Sequence, residues 1–341
     1  MESSKCNGTI SPLGTNGTTL PSMDRDYPDI VGVIVTVCMM VAVLIVTTNT
    51  LTITCIAKFK HLQRVNANKF ILSLSCADLI LGVALLTCAF RFYAPDFMFY
   101  NGDREAERIS CLICQPPTTL GALSSIINFL LVVIERFISI AKPYFHTRWF
   151  TERNSKVIIC ITWTYIIGCT SYMTANTEYN YGDLCLWVVI DRKTFLLLTG
   201  HVLSVLVLST LAYTYIFIIA WKQNKQIHQQ ALSVSNSTGI TTNDYRLTKM
   251  IAWVYGVLMI CFIPFIISTA LMGQYEHAPV WLQVIYRFSA IFIYCNSFSN
   301  AFIYGLKSRD LRQAYKCLLG CKTAEIRQND FKNTNQADVR V

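Results

Sequence analysis

Seven long apolar runs, separated by short polar segments, restrict most strongly what this chain can fold into. Each has roughly 20 or more residues, the length at which an α-helix crosses the hydrocarbon core of a bilayer. A helix also satisfies its own backbone N–H and C=O groups, as a bilayer requires. The runs, called spans one to seven, are 30–56, 70–90, 111–141, 157–173, 195–221, 250–272 and 282–306. The pattern predicts an all-α membrane protein with a seven-helix transmembrane bundle.

Composition supports a membrane location. Of the 341 residues 53% are hydrophobic and only 14% are charged, which is more apolar surface than a soluble fold of this length needs. The net charge of +9 is scattered over short segments and forms no basic stripe, which argues against nucleic-acid binding. A lipid bilayer with a cytoplasmic face accounts for these charges better.

The spans divide the chain into four predicted parts. Residues 1–28 form an extracellular tail, 29–306 the bundle, 307–321 a short amphipathic helix on the membrane surface, and 322–341 a cytoplasmic tail. The first tail is rich in Ser, Thr, Gly, Asn and Pro and lacks the basic and apolar regions of a signal peptide. Both tails are therefore expected to be disordered.

Lysine and arginine are concentrated in alternate loops, which sets the expected orientation, since cytoplasmic loops carry the excess of these residues. The loops after spans one, three, five and seven are basic, and the opposite loops are mixed or acidic. We therefore expect an extracellular N-terminus in a multi-pass protein of the plasma membrane. Asn7 and Asn16, each in an Asn-Gly-Thr triplet, are then accessible for N-glycosylation.

Span three is the most polar span, as expected of a helix surrounded by other helices. Near its cytoplasmic end Glu135 and Arg136 stand side by side, and Pro143 is the first residue able to end the helix cleanly. An acid and a base at this position indicate a switch or a binding site. The alternative is a pair of interfacial charges whose side chains reach water.

Asp78 lies in the middle of span two, where an ionised acid costs about 2.5–3.5 kcal/mol and needs a partner. Ser125 in span three lies at a similar depth, and Asn296 and Asn300 share one face of span seven. Carboxylate, hydroxyl and amide oxygens suit a small hard cation such as Na⁺. These residues predict an allosteric sodium site and no other cofactor; a water-filled polar network is the alternative.

Most of the 14 cysteines lie inside apolar runs, where a thiol is simply a small hydrophobic group. Cys111 begins span three on the outer side, and Cys185 lies in the longest outer loop. A disulfide between them is expected in an oxidising compartment and would hold this loop across the mouth of the bundle. A bridge between Cys6 and Cys114 stays open as an alternative.

Six spans each carry a short motif of polar, aromatic or proline residues. They are Asn49 in span one, Leu74 to Asp78 in span two, Glu135-Arg136-Phe137 in span three, Trp163 in span four, Cys261 to Pro264 in span six, and Asn300 to Tyr304 in span seven. Single motifs would be weak, but here they occur in order along the chain. With these motifs the chain resembles, from about residue 34 to residue 321, the rhodopsin-like (class A) G protein-coupled receptors.

Four positions depart from the family pattern. Phe262 replaces the usual tryptophan of span six, Phe137 the tyrosine after the conserved arginine, Ala301 the proline of span seven, and Val205 the proline of span five. Each keeps bulk or helical structure but removes a kink or a polar group. The resemblance therefore leaves signalling open as ligand-dependent, constitutive or lost.

The resemblance implies a mechanism for the charges of span three. Asp244, twenty residues before Pro264, would pair with Arg136 and hold the cytoplasmic end closed. Outward movement of span six would release Arg136 and open a cleft for a heterotrimeric G protein, supported by Tyr213 and Tyr304. Arrestin and receptor kinases are further expected partners. Alternatively, Asp244 is only the N-cap of span six.

The extracellular ligand is less well defined by the sequence. Thr118 stands where receptors for biogenic amines carry an aspartate, and Tyr294 where opsins carry a lysine, so neither ligand class is favoured. Candidate contacts at the outer ends of the spans are Arg91, Gln115, Thr118, His201, Tyr286, Arg287 and Tyr294. The alternative for the arginines is a snorkelling or loop-paired charge.

After span seven, apolar residues lie on one side of the segment 307–321 and cations on the other, as in an interfacial helix. Cys317 and Cys321 are candidate palmitoylation sites within it. Two other protein classes are disfavoured. A transporter is disfavoured because the sequence has no internal repeat. An enzyme is disfavoured because the sequence places no Ser/His or paired-aspartate arrangement at membrane depth.

Overall fold

The computed structural model describes residues 28–93, 104–176, 192–233, 241–275, 279–307 and 309–320. Four predicted sites lie outside these residues, namely Asn7, Asn16, Cys185 and Cys321. For three further residues only the helical backbone is described, namely Cys111, Asp244 and Tyr304. The glycosylation sites and the disulfide therefore remain predictions.

Seven long helices cover the seven predicted spans. They are Pro28–Lys58, Asn66–Tyr93, Arg104–Ala141, Glu152–Ala175, Arg192–Ser233, Thr241–Met272 and Val280–Lys307. The described residues contain no strand, and the expected all-α fold is confirmed. Every helix is longer than its apolar run, because the backbone hydrogen bonds continue into polar sequence until a cap or a loop interrupts them.

Five helices in the described part of the chain are long and apolar enough to cross a membrane. They are spans one to five, and the described side chains of span six include the apolar stretch Met259–Met272 within the helix Thr241–Met272. Span seven carries buried polar residues such as Asn296, Ser297 and Asn300. The helix face with these polar side chains is suited to contact other helices.

Pro143 terminates span three as predicted. The long helix ends at Ala141, Lys142 leaves helical geometry with φ −141° and ψ 70°, and Pro143 opens a separate short helix, Pro143–Trp149. Proline is favoured in this first turn because the N–H that it lacks would have no helical partner there. We call Pro143–Trp149 the loop helix.

Spans two, three and four are joined by a buried hydrogen-bond chain. The indole Nε1 of Trp163 donates to the Ser73 hydroxyl (2.9 Å), which donates to Oδ1 of Asn128 (2.7 Å). Asn128 in turn donates to the backbone carbonyl of Ser124 (2.9 Å). Since an unpaired polar group in this environment is costly, the chain fixes how the three helices are rotated against one another.

The helix Arg309–Leu318 lies within the predicted amphipathic segment 307–321, and we call it the surface helix. Leu311 and Ala314 are buried against the bundle, and Arg312 and Lys316 lie on the same short helix. The Tyr315 hydroxyl is 2.9 Å from the Thr52 hydroxyl of span one. Burial raises the pKa of Tyr315 to about 12, against a smaller opposing effect of Thr52, so this contact stays neutral at physiological pH.

Candidate functional site

The centre of the bundle contains a polar cluster around Asp78, whose side chain has 0% exposure. The Ser125 hydroxyl donates to Oδ1 of Asp78. Nδ2 of Asn300 donates to Oδ2 from 3.4 Å. Spans two, three and seven therefore meet at one carboxyl group, and three of the four residues predicted for the cation site lie together.

Ser297 belongs to this cluster and was not predicted from the sequence. Its hydroxyl lies 3.1 Å from that of Ser125, and its carbonyl accepts from Nδ2 of Asn49 at 3.4 Å. Its position three residues before Asn300 places both on one helix face, which is the signal that the sequence offered. Asn296, the fourth predicted residue, is buried close by, but no hydrogen bond from it to Asp78 is present among the described contacts.

The described polar atoms of the cluster are carboxylate and hydroxyl oxygens together with the Asn300 amide. A carboxylate and hydroxyl and amide oxygens match the preference of a small hard cation, and the two serine hydroxyls can turn to present lone pairs. No group of three or more His, Cys, Asp or Glu side chains is gathered within the described ranges. The donor set therefore fits Na⁺ better than a transition metal.

Near the C-terminal end of span three, Glu135 is buried although it is an acid, with 1% exposure. Its Oε2 lies 3.3 Å from Nε of Arg136, whose side chain is about one-third exposed. The Oε2 atom accepts no hydrogen bond within the described contacts. Among the described interactions, the ion pair with Arg136 is thus the one that compensates the negative charge on Oε2.

His146 of the loop helix is a second partner of Glu135 that the sequence did not indicate. Its Nε2 lies 2.8 Å from Oε1 of Glu135. The imidazole ring also stacks on Phe150, with ring centroids 4.9 Å apart and planes 13° apart. Eleven residues separate the acid from the histidine, and only the turn at Pro143 brings them together.

The loop helix is fixed to span two through Phe150. This ring packs edge-on against Phe70, with centroids 5.8 Å apart. The Phe150 carbonyl accepts from Nδ2 of Asn66 at 2.8 Å. His146 therefore approaches Glu135 from a held position, because its neighbour Phe150 is anchored by both packing and a hydrogen bond.

The other predicted switch residues are partly outside the described side chains. Asp244 lies in the first turn of Thr241–Met272, but its side chain is outside the described residues, so its pairing with Arg136 stays a prediction. Tyr213 of span five is partly buried against the hydrophobic core. Phe137 packs edge-on against Tyr215 of span five, with ring centroids 5.3 Å apart. Phe137 therefore contributes packing where the family's tyrosine would carry a hydroxyl.

Three departures from the family pattern lie in the core. Phe262 is completely buried, one turn of helix from Phe265, and Pro264 lies inside the continuous helix Thr241–Met272. Val205 and Ala301 are also buried. Both residues keep the backbone N–H that a proline lacks, and they lie within the helices Arg192–Ser233 and Val280–Lys307.

At the opposite end of the bundle from Glu135, four predicted ligand contacts lie on two helices. Arg91 is 9% exposed and Arg287 is 6% exposed, and each makes interactions of its own. The Tyr286 ring packs against Phe265, with centroids 5.5 Å apart, and Tyr294 is buried one layer deeper in the core. These side chains combine cationic, phenolic and aromatic groups between spans two, six and seven.

The remaining ligand candidates separate into two places. The Thr118 hydroxyl donates to the Cys114 carbonyl (2.9 Å) and lies 3.5 Å from the Cys88 thiol, inside the bundle. Gln115 donates to the Thr119 hydroxyl (3.3 Å). By contrast, Nε2 of His201 lies 2.6 Å from the exposed Tyr165 hydroxyl, beside an open groove of about 550 Å³ between spans four and five. Cys114 itself is a buried free thiol.

Comparison with known proteins gives an independent assignment. A family model described as "7 transmembrane receptor (rhodopsin family)" matches residues 48–304, well over half of the chain. The adenosine receptor A2a of Homo sapiens is 26% identical over 330 residues, covering 91% of this chain and 77% of that receptor. The melatonin receptor type 1C of Gallus gallus is 27% identical over 299 residues, covering 82% and 81%.

A third relative, the D(1C) dopamine receptor of Xenopus laevis, is 23% identical over 343 aligned positions, covering 88% of this chain and 70% of that receptor. These relatives are receptors and not enzymes, and the family is one of multi-pass proteins of the plasma membrane. The resemblance inferred from the motifs is therefore confirmed. The chain belongs to the rhodopsin family of seven-transmembrane receptors.

Proposed function

We propose that this receptor binds an extracellular ligand and activates heterotrimeric G proteins when span six moves outward and releases Arg136. The observation that carries the proposal is the buried Glu135 carboxylate paired with Arg136 at the end of span three. An ion pair between a buried acid and a partly exposed base has two stable arrangements, paired and released. A switch needs such a two-state element.

Asp244 is proposed as the second partner of Arg136 in the resting state. It lies in the first turn of span six, and this helix contacts span five and span seven. A carboxylate there would hold span six against span three, and its loss would favour the open state. Tyr213 and Tyr304 would then support the released arginine.

The experiment is guanine-nucleotide exchange on a panel of G proteins with purified receptor and no ligand. Asp244→Ala should raise basal exchange severalfold, because one of the two anions that hold Arg136 is removed. Asn243→Ala, one position away, is the matched control and should leave exchange unchanged. Unchanged exchange in Asp244→Ala at equal receptor concentration would contradict the latch.

We also propose that Asp78, Ser125, Asn296 and Asn300 hold a sodium ion that favours the resting state. The support is the set of hydroxyl and amide groups from spans three and seven around the fully buried carboxyl group of Asp78 in span two. A bound cation would supply the positive charge that this acid otherwise lacks. It would also join three helices that need to shift if the bundle opens.

The ligand is proposed to enter from the outer end between spans two, three, six and seven. Arg91, Thr118, Tyr286, Arg287 and Tyr294 are the contacts supported by their position. Gln115 is retained at the rim. His201 is a weaker candidate, because its ring is engaged with Tyr165. The relatives are named for adenosine, melatonin and dopamine, and Thr118 supplies no charge for an amine.

Several processing and partner assignments complete the proposal. The N-terminus is extracellular and glycosylated at Asn7 and Asn16, and Cys111 and Cys185 form a disulfide. Palmitate on Cys317 and Cys321 would fix the surface helix to the inner leaflet, in keeping with its amphipathic sequence. Arrestin and receptor kinases are proposed to act on the same cytoplasmic face.

A receptor with constitutive or lost signalling is the second candidate, favoured by Phe262, Ala301 and Val205 in place of the family residues. Ala301 and Val205 stand where the family has prolines, and a helix without those prolines has less local freedom to bend. The exchange assay separates the two candidates. High basal exchange that no ligand changes indicates constitutive signalling, and absence of exchange with every G protein indicates that signalling has been lost.

A further inference from the structure

The carboxylate of Glu135 is shared between two basic side chains of different kinds. One oxygen lies 3.3 Å from Arg136, which is permanently charged, and the other lies 2.8 Å from His146, whose charge depends on pH. Glu135 is almost completely buried, so water does not screen either interaction well. The two partners therefore compete for one negative charge.

The competition has a definite direction. A neutral His146 donates one hydrogen bond from Nε2 and leaves the full negative charge to attract Arg136. A protonated His146 forms an ion pair with Oε1 and neutralises most of that charge. The attraction between Glu135 and Arg136 then falls, and less free energy is needed to release the arginine.

Other charges surround this site without replacing His146. On its own loop helix and the preceding residue the charged groups are Arg148 and Lys142, both basic. On spans two and four, Lys69, Glu152 and Lys156 form a separate ion cluster, with Lys69 and Lys156 lying 3.5 Å and 2.9 Å from Glu152. Among the described side chains, Glu135 is thus the acid in direct contact with His146.

We propose that His146 is a positioning residue of the switch. When His146 is protonated, the Glu135 carboxylate pairs with His146 of the loop helix in place of Arg136. This proposal rests on the proposed function for its signalling consequence, but not for the contact itself. Tyr144 of the loop helix is 91% exposed, so a cytoplasmic partner can contact this helix. A partner that moves the helix would also move His146, because His146 lies on it. The receptor would then respond to cytoplasmic acidification and to loop contact through one side chain.

The first test is the pH profile of basal guanine-nucleotide exchange by full-length receptor in lipid nanodiscs. Wild-type exchange, normalised to that of His146→Gln at the same pH, should rise at least threefold between pH 8 and pH 6. Glutamine keeps a neutral donor but cannot be protonated. Exchange by the His146→Gln receptor should therefore change with pH only as far as the G protein itself does. His146→Lys, a permanent cation, should give high exchange at both pH values.

The matched control is His61→Gln, a second histidine at the cytoplasmic side, in the short helix Lys60–Arg64. It should keep the wild-type profile. A wild-type profile parallel to that of His146→Gln, or loss of the response in His61→Gln but not in His146→Gln, would overturn the proposal.

A second measurement does not need a G protein and separates failure of this proposal from failure of the proposed function. The thermal midpoint Tm of wild type should exceed that of His146→Gln by more at pH 6 than at pH 8. In a Glu135→Gln background this pH-dependent difference should disappear, since the acid that binds the protonated ring is absent. If the difference persists in that background, His146 does not act through Glu135, whatever the exchange assay shows.

Discussion

The Asp78 carboxyl has no solvent exposure, and its described partners are hydroxyl and amide groups. A membrane interior penalises an ionised acid unless a cation compensates it. The sequence suggested this site because an aspartate inside an apolar run is conspicuous. It did not suggest Ser297, since a serine in a helix is usually satisfied by its own backbone.

For Asp78 we predict that sodium stabilises the receptor. The Tm of the purified protein should be higher in NaCl than in choline chloride at equal ionic strength, and Asp78→Asn should remove this difference because the charge that attracts the cation is lost. Ser124→Ala is the control, as Ser124 is equally buried but bonds to the Gly121 carbonyl. A sodium effect that survives in Asp78→Asn would contradict the assignment.

His146 shows a second limit of sequence reasoning at the residue scale. Glu135 and Arg136 were found because two charges stand in an apolar run, but their histidine partner lies in a polar segment where charged residues are ordinary. Only the three-dimensional path through Lys142 and Pro143 brings the ring to Glu135. A contact that depends on a turn outside regular periodicity carries no pattern in the sequence.

At the scale of elements, the positions of the seven helices followed from hydrophobicity, but their ends did not. Span five was expected to end at residue 221 and continues to Ser233, because polar residues that favour helices extend it beyond the apolar run. The end of span three was predicted correctly, since Pro143 provides a local chemical signal. Where no such signal exists, an apolar run predicts which residues cross the membrane but not where the helix begins and ends.

Gly121 determines how closely spans two and three pack. A Cβ atom there would lie 2.5 Å from Cα of Leu81, so any side chain forces the two backbones apart. We predict that Gly121→Val destabilises the receptor by at least about 1–3 kcal/mol, the range for overpacked cores. The measurement is the thermal midpoint of purified protein.

The control for Gly121 is Gly168→Val in span four. Gly168 also lies within a helix, but a Cβ atom there meets nothing within 4 Å. The two substitutions have the same helix-propensity effect, so their difference reports the contact with Leu81. Equal midpoints for the two variants would contradict the close packing of spans two and three.

At the scale of the whole molecule, the order of polar and apolar segments together with the family motifs was sufficient to identify the fold and the receptor family. The ligand could not be identified in this way. Its contacts are single side chains on several helices, such as Arg91 and Arg287, and each also has a structural role. Such residues define the shape and charge of the proposed ligand site but not one chemical class of ligand.

The orientation of the molecule gives a prediction at this scale. Asn7→Gln and Asn16→Gln should each lower the apparent mass of the cell-expressed receptor by one glycan, because the tail is expected to be outside. Asn236 also lies in an acceptor triplet, Asn-Ser-Thr, but in the loop after span five, which is expected to be cytoplasmic. Asn236→Gln should therefore leave the mass unchanged. Glycan loss in Asn236→Gln but not in the other two would reverse the topology and place Arg136 on the wrong side for a G protein.

The central claim is that Glu135 restrains Arg136 until the bundle opens, and basal guanine-nucleotide exchange by purified full-length receptor tests it most directly. Glu135→Gln should raise basal exchange severalfold, because a neutral amide attracts the guanidinium far less, whereas Arg136→Ala should abolish exchange. A Glu135→Gln receptor no more active than wild type, or an Arg136→Ala receptor with full activity, would contradict the account.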